Sequence, residues 1–398
     1  MKRKHVLIFL FCLPLLVPVV SYLLWKIKED KPLKVLIYDM TVPLNSYIEH
    51  NSLSWVLIHD KYVYVDHLIQ PTIEYKGFYP KDDFKFVTND FLKMSRREVI
   101  QAADSLDMVY FTDTYGIYTN EWYKEENKGE RSSKIYGGLN KNDLLLLNRM
   151  QDSRKLVLAE FNFLANPTGL SIRNEAERLL DVKWTGWVGR YYECLDTLVN
   201  PDIPVWARNL YEKQYHKPWD FHQAGILFVH EHEQIVVLEM DVTLKEEVPW
   251  VYSSEYGAEK YGLPQEITYP YWFDILESGP SNRIVSKFKI YANENGKKLM
   301  GEYGIPDVFP CVIENMEKNY FYFCGDFCDT PLYLEGAKLT GISYFHKFFY
   351  NKYNYIDRSP FFWHFFRPLL TSILDEHWKE LHVKGAQGTG QSAKLAPN

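Results

Sequence analysis

Two carboxylates stand where strands run out. Asp113 ends the apolar run in "DMVYFTD", and Glu160 ends the run in "KLVLAEF". Two acids at one sheet edge could act as a general acid and base, or as a retaining pair about 5 Å apart. Beside them the sequence places groups that could orient a sugar or a charged ligand: Tyr115, Asn162 and Arg190. Glu49 and His50 lie just ahead of an expected first helix, near the same edge. The loop "WTGWVGRYYE" adds Trp187 as a candidate stacking wall. Each has a plainer reading. Strand-end acids accept loop hydrogen bonds or cap helices, and aromatic loops pack inward.

Other constellations say less. His230 and His232 in "HEHE" share one strand face, but no third ligand is indicated, so no metal or other cofactor is expected. Asp326 and Asp329 in "GDFCDT" follow a strong strand, where a calcium or substrate contact is the sharper reading. The chain has no phosphate-binding glycine loop, dinucleotide fingerprint, zincin motif or serine-hydrolase elbow. Cys194, Cys311, Cys324 and Cys328 permit two disulfides in an oxidising compartment, or four buried thiols.

The elements that would position these groups follow from periodicity. Strands are expected at 34–40, 107–113 and 155–161. Helices are expected at 49–64, 95–106, 140–152 and 171–182. Such alternation implies parallel pairing with helices on both faces, and ligands then bind at the carboxyl ends of the strands. Residues 34–200 therefore read as a doubly wound, mostly parallel α/β sheet of flavodoxin-like type. Residues 201–380 read as a β-rich extension with C-terminal helices, packed on the first region. Hairpins are expected around "HEHEQ", "NENG" and "NMEKN", and helices after residue 335. The tail 384–398 lacks periodicity and is expected to be disordered.

The N-terminus carries its own signal. "KRKH" precedes twenty uncharged residues, Val6 to Trp25, long enough to cross about 30 Å of hydrocarbon. The expectation is a single-pass signal anchor over 6–25, with residues 1–5 cytoplasmic, a linker at 26–33 and an extracytoplasmic body at the cell membrane. The net charge is −7, with a local +5 in the first 34 residues, so the body is acidic. An acidic body lacks the basic footprint that nucleic acid demands.

The stretches "LDMVYF", "GLNKNDLLLLNRMQDSRKLVLAEFNF", "ERLLDVKWTGW" and "YFYFCGDF" resemble the class I glutamine amidotransferase-like superfamily. That resemblance implies an amidotransferase-like fold over 34–200 with a nucleophile on the turn after the "KLVLAEF" strand. A glutaminase needs a cysteine there, and this chain has "LAEFN" instead. The resemblance thus implies a degenerate member without glutaminase chemistry. Aromatic richness, at 16%, suits a carbohydrate ligand in the cell envelope. The rival expectation is a non-enzymatic scaffold that contacts envelope proteins.

Overall fold

A computed structural model describes residues 16–64, 67–71, 74–124, 132–348, 350–351 and 354–392. In the main sheet the first two strands are β1 (Val35–Asp39) and β2 (Tyr75–Pro80), with helix α1 (Asn51–His59) between them. Then come β3 (Phe86–Asn89), α2 (Arg96–Ser105), β4 (Met108–Asp113), α3 (Lys141–Asp152) and β5 (Leu156–Glu160). Helix α4 (Leu170–Leu180) leads into β6 (Val182–Tyr192), α5 (Val205–Tyr215), β7 (Gly225–His230) and β8 (Ile235–Glu239). Next are β9 (Trp250–Ser253), α6 (Glu255–Tyr261), β10 (Glu266–Thr268), β11 (Trp272–Ser278) and β12 (Arg283–Lys289). The order closes with α7 (Glu294–Glu302), β13 (Val308–Asn315), β14 (Tyr320–Phe323) and the long α8 (Arg367–Ser392).

Ten of these strands form one sheet, in the order β10-β9-β12-β13-β14-β5-β4-β1-β2-β3. Five neighbours, β14, β5, β4, β1 and β2, run parallel. The strands outside them pair antiparallel. A separate antiparallel sheet has the order β8-β7-β6-β11. The expected doubly wound, mostly parallel sheet is therefore corrected to a mixed sheet with an antiparallel wing. The physical reason lies in β14. It comes from a hairpin of the β-rich half and inserts beside β5, so both halves of the chain complete one sheet and one core.

Sequence chemistry explains the local elements. Strands β1 and β5 are buried along their whole length, as apolar runs between two covered faces must be. Ser95 opens α2 with a capping box. Its hydroxyl accepts from the Glu98 amide at 3.4 Å, and the Glu98 carboxylate accepts from the Ser95 amide at 2.7 Å. Asn140 and Asp143 do the same for α3, and the second Asp143 oxygen accepts from Tyr38 OH at 2.7 Å. That bond ties α3 to β1. The hairpins at "HEHEQ" and "NMEKN" are present. The expected hairpin at "NENG" is instead the start of α7, because Asn293 caps a helix by accepting from the Gly296 amide at 3.0 Å. The aromatic stretch after residue 335 forms short turns and a π-helical segment, Phe362–Phe366, before α8.

The membrane-anchor expectation is also corrected. Among the described residues no helix is long and apolar enough to cross a membrane, which overturns the single-pass anchor and the localisation built on it. Residues 6–15 of the expected span lie outside the described residues. Its end, placed by sequence at an interface, is part of the fold. Trp25 is buried, its indole N–H donates to Ile58 O at 3.2 Å, and Lys61 Nζ lies 4.7 Å from its ring. Of the C-terminal tail, residues 393–398 lie outside the described residues.

Candidate functional site

The carboxyl ends of the parallel strands gather an unusual number of acids. Asp39 ends β1 and is paired in register with Asp113 at the end of β4. Glu160 ends β5, next to β4. A single turn of 3-10 helix, Ile48–His50, leads into α1 and brings Glu49 and His50 over the end of β1. The loop after β14 crosses the top of the sheet and delivers Asp326, Cys328 and Asp329. It is held on one side by Ser52, whose hydroxyl donates to Cys328 O at 2.8 Å. On the other side the Asp274 amide donates to Cys324 O at 2.7 Å, and the Asp326 amide to Trp272 O at 3.1 Å. The same loop thus stitches the two sheets together above the strand ends.

Glu160 belongs to the sealed part of this edge. It has no exposed surface; one carboxyl oxygen accepts from the Cys328 amide at 2.7 Å and the other from Tyr110 OH. Burial pushes its pKa up to about 8, only partly countered by these donors. Asp274 lies in the same layer, its Oδ2 accepting from Tyr322 OH at 3.0 Å and from the Asn162 amide at 3.1 Å, while its Oδ1 is buried without a partner. Burial lifts it to about 7.

A second part is less satisfied. Asp39 accepts from the Thr41 amide at 2.9 Å and bonds His50 Nδ1 at 2.7 Å. The other imidazole nitrogen, Nε2, is buried without a hydrogen-bond partner. Glu49 likewise has a buried Oε2 without a partner. Burial, then the charges of Asp39, Asp329 and Asp113, push the Glu49 pKa up to about 9, so it holds its proton at neutral pH. Asp113 accepts from the Tyr115 amide at 2.6 Å and from the Asn162 amide side chain at 3.4 Å. Burial, with Asp39 adding to it, lifts Asp113 to about 8. Asp329 accepts from Tyr271 OH at 2.8 Å and faces Arg358 at 3.3 Å, while its Oδ1 is buried and unpartnered. The rings of Tyr47 and Tyr75 lie 5.9 and 5.1 Å from His50, and Tyr115 stacks on Tyr118 at 4.7 Å.

The sequence-derived residues divide accordingly. Glu49, His50, Asp113, Tyr115 and Asn162 come to this edge. Glu160 is next to them but enclosed. Arg190 lies on β6 of the wing, 3.6 Å from Asp202 and over the rings of Tyr192 and Trp272 at 4.5 and 5.1 Å. It approaches the edge through Tyr271, whose ring lies 5.7 Å from the guanidinium and whose OH bonds Asp329, and through Trp272, which stacks on Phe161 at 6.0 Å. Trp187 is buried against His230 and Tyr303, so it offers no stacking wall. Sequence reasoning did not combine Asp39 with His50 or Asp329 with Tyr271 and Arg358. The positions of Asp39 and Asp329 just at or after strand ends were the local signals, while the partners of Asp329 come from distant segments. The turn after β5 has its left-handed residue at Asn162, with φ of 67°, one residue beyond Phe161. Asn tolerates that region better than most residues. Among the described residues no group of three or more His, Cys, Asp or Glu is placed to hold a metal ion, and the four cysteines are free thiols.

No family model matches the chain, and no curated protein matches it. Among solved structures, a ThuA-like protein from Bacteroides uniformis ATCC 8492 aligns with 75% of this chain and 83% of its own, at 10% identity and a TM-score of 0.32. That likeness is too distant to assign a family or a function.

Proposed function

We propose that the protein binds a hydroxyl-rich ligand of the carbohydrate class at the Glu49–Asp113–Asp329 edge. The observation that carries this reading is the set of buried polar atoms left without partners there: Glu49 Oε2, His50 Nε2 and Asp329 Oδ1. Buried polar atoms are ordinarily paired, and each one left unpaired costs about 1–3 kcal/mol. A ligand with several hydroxyls supplies both donors and acceptors to such a set. Protonated Glu49 donates, Asp329 accepts, and His50 does either according to its tautomer. Tyr47, Tyr115 and Tyr118 give the ring surfaces that sugars stack on. The arrangement favours binding over hydrolysis by an Asp113–Glu160 pair, because both Glu160 oxygens are occupied inside the core.

A glycan panel presented to the full chain tests this, read for both binding and bond cleavage. Saturable binding that Glu49→Gln or Asp113→Asn weakens at least tenfold, about 1.4 kcal/mol, supports the site. Binding unchanged in both variants, or absent across the panel, removes it.

A second reading, a non-enzymatic interaction protein, rests on a different surface. Tyr333, Tyr344 and Phe348 are 91%, 82% and 83% exposed, and the helical residues 16–26 beside them expose Leu16, Val20 and Leu24. The Thr340 amide donates to Ser21 O at 3.3 Å, so the two segments adjoin. Exposed apolar surface of this extent marks interaction sites. Under this reading Tyr344→Ser with Phe348→Ser abolishes capture of a protein partner and leaves glycan binding unchanged.

A further inference from the structure

A cavity opens at the opposite, amino ends of the parallel strands. Its wall includes Leu156 at the start of β5, Asn319 just before β14, Glu314 of β13, and Glu376 and His377 of α8. Lys260 of α6 and Glu380 of α8 also face it. Its volume is about 60 Å³, room for a guest of a few non-hydrogen atoms.

Glu314 is the unusual member. Its side chain is 3% exposed, and its two oxygens are treated very differently. Oε1 accepts from Tyr261 OH at 2.8 Å and Tyr256 OH at 3.2 Å, and pairs with Lys260 Nζ at 3.3 Å. Oε2 is buried with no partner. A carboxylate oxygen in that state costs free energy unless something outside the chain bonds to it. The lining carries three carboxylates, Glu314, Glu376 and Glu380, against one ammonium, Lys260, itself 3.2 Å from Glu376. His377 is held by contacts within the fold, with Nε2 3.1 Å from Asp107 O. Arg283, the cross-strand partner of Glu314, is not in the lining but adjoins it, with Nη1 3.5 Å from Met316 Sδ and its guanidinium 4.1 Å from the Tyr256 ring.

We propose that this cavity binds a small primary ammonium ion, with one N–H donated to Glu314 Oε2 and the charge balanced by Glu376. The excess of carboxylates rejects an anion. A hard divalent cation takes six or more oxygens, and here Lys260 Nζ already occupies one side of Glu314. An ammonium group needs only two or three acceptors, and the Phe321 ring in the lining suits a cation.

The test uses the full chain at pH 7.5 and constant ionic strength, titrated with methylammonium chloride. Thermal stability and saturation-transfer NMR of the methyl signal are the readouts. Wild type gives a saturable response that neither tetramethylammonium, which has no N–H, nor potassium reproduces. Glu314→Gln weakens the apparent affinity at least tenfold, and Glu376→Gln weakens it severalfold. Glu376 is 49% exposed, so its variant folds even where Glu314→Gln does not. The proposal is overturned by no saturable response in wild type, meaning a cavity that holds water only. It is equally overturned by an equal response to potassium or tetramethylammonium, or by Glu376→Gln and Glu314→Gln binding as wild type does.

Discussion

Two groups of acids share the carboxyl edge of the parallel strands, and they differ in how they are satisfied. Glu160 lies under the loop after β14 with both oxygens accepting from fixed donors, whereas Asp274 beside it accepts two bonds at Oδ2 and leaves Oδ1 buried and unpartnered. Glu49 and Asp329 lie a few residues from that loop's anchors, each with one buried oxygen that nothing in the chain bonds. Burial raises Glu160, Asp113 and Glu49 alike. A raised pKa therefore does not separate a working acid from a structural one. Glu160 is marked as structural because the fold already supplies partners to both of its oxygens.

The largest expected effect breaks the sealed group. Glu160→Ala strands Tyr110 OH and the Cys328 amide and opens a cavity under the loop. It should cost about 3–5 kcal/mol by urea denaturation. A cost below about 1 kcal/mol would show that Glu160 is not the keystone of that layer. Next comes pH. Glu160 titrates near 4.5 in an unfolded chain and at about 8 in the fold. Below the lower value both states hold the proton; between the two only the folded state does, so stability falls as pH rises from about 4.5 to 8 and then levels. The fall should be on the order of a few kcal/mol, with Asp113 and Glu49 adding to it, and Glu160→Gln should shrink it. A stability that climbs over that range would contradict the burial of these acids in protonated form.

Asn162 joins the two groups, since its amide N–H bonds Asp274 and its side chain bonds Asp113. Asn162→Ala should cost about 1–2 kcal/mol, because alanine dislikes the left-handed backbone and the Asp113 contact is lost. Asn162→Gly should cost less, since glycine adopts that backbone freely, and comparing the two separates backbone from side chain in thermal unfolding. The smallest effect on stability is expected at the open group. Glu49→Gln should stay within about 1 kcal/mol, as its Oε2 contributes no bond to lose.

Much of this edge was legible in the sequence. Apolar runs closing on an acid placed β1, β4 and β5, and that Asp113 and Glu160 end neighbouring strands followed from their order. Ser95, of the residue type that caps helices, marked the start of α2. What sequence could not carry was the third dimension of the second half. Insertion of β14 beside β5 and the path of residues 324–330 depend on contacts more than 160 residues apart, such as Cys328 to Glu160. That path decides which strand-end acid is sealed. The twenty uncharged residues at the N-terminus matched a span by composition, yet Trp25 packs against Ile58 and Lys61. Periodicity says that a run is apolar, not which surface covers it.

The division between sealed and open acids meets its most direct test in paired calorimetric titrations of one glycan found by the panel. Wild type, Glu49→Gln and Glu160→Gln would be compared at pH 7. The expected result is at least a tenfold loss of affinity in Glu49→Gln, with Glu160→Gln within about twofold of wild type in its folded fraction. The reverse pattern, binding lost with Glu160 and kept without Glu49, would contradict the assignment of the open edge as the ligand site.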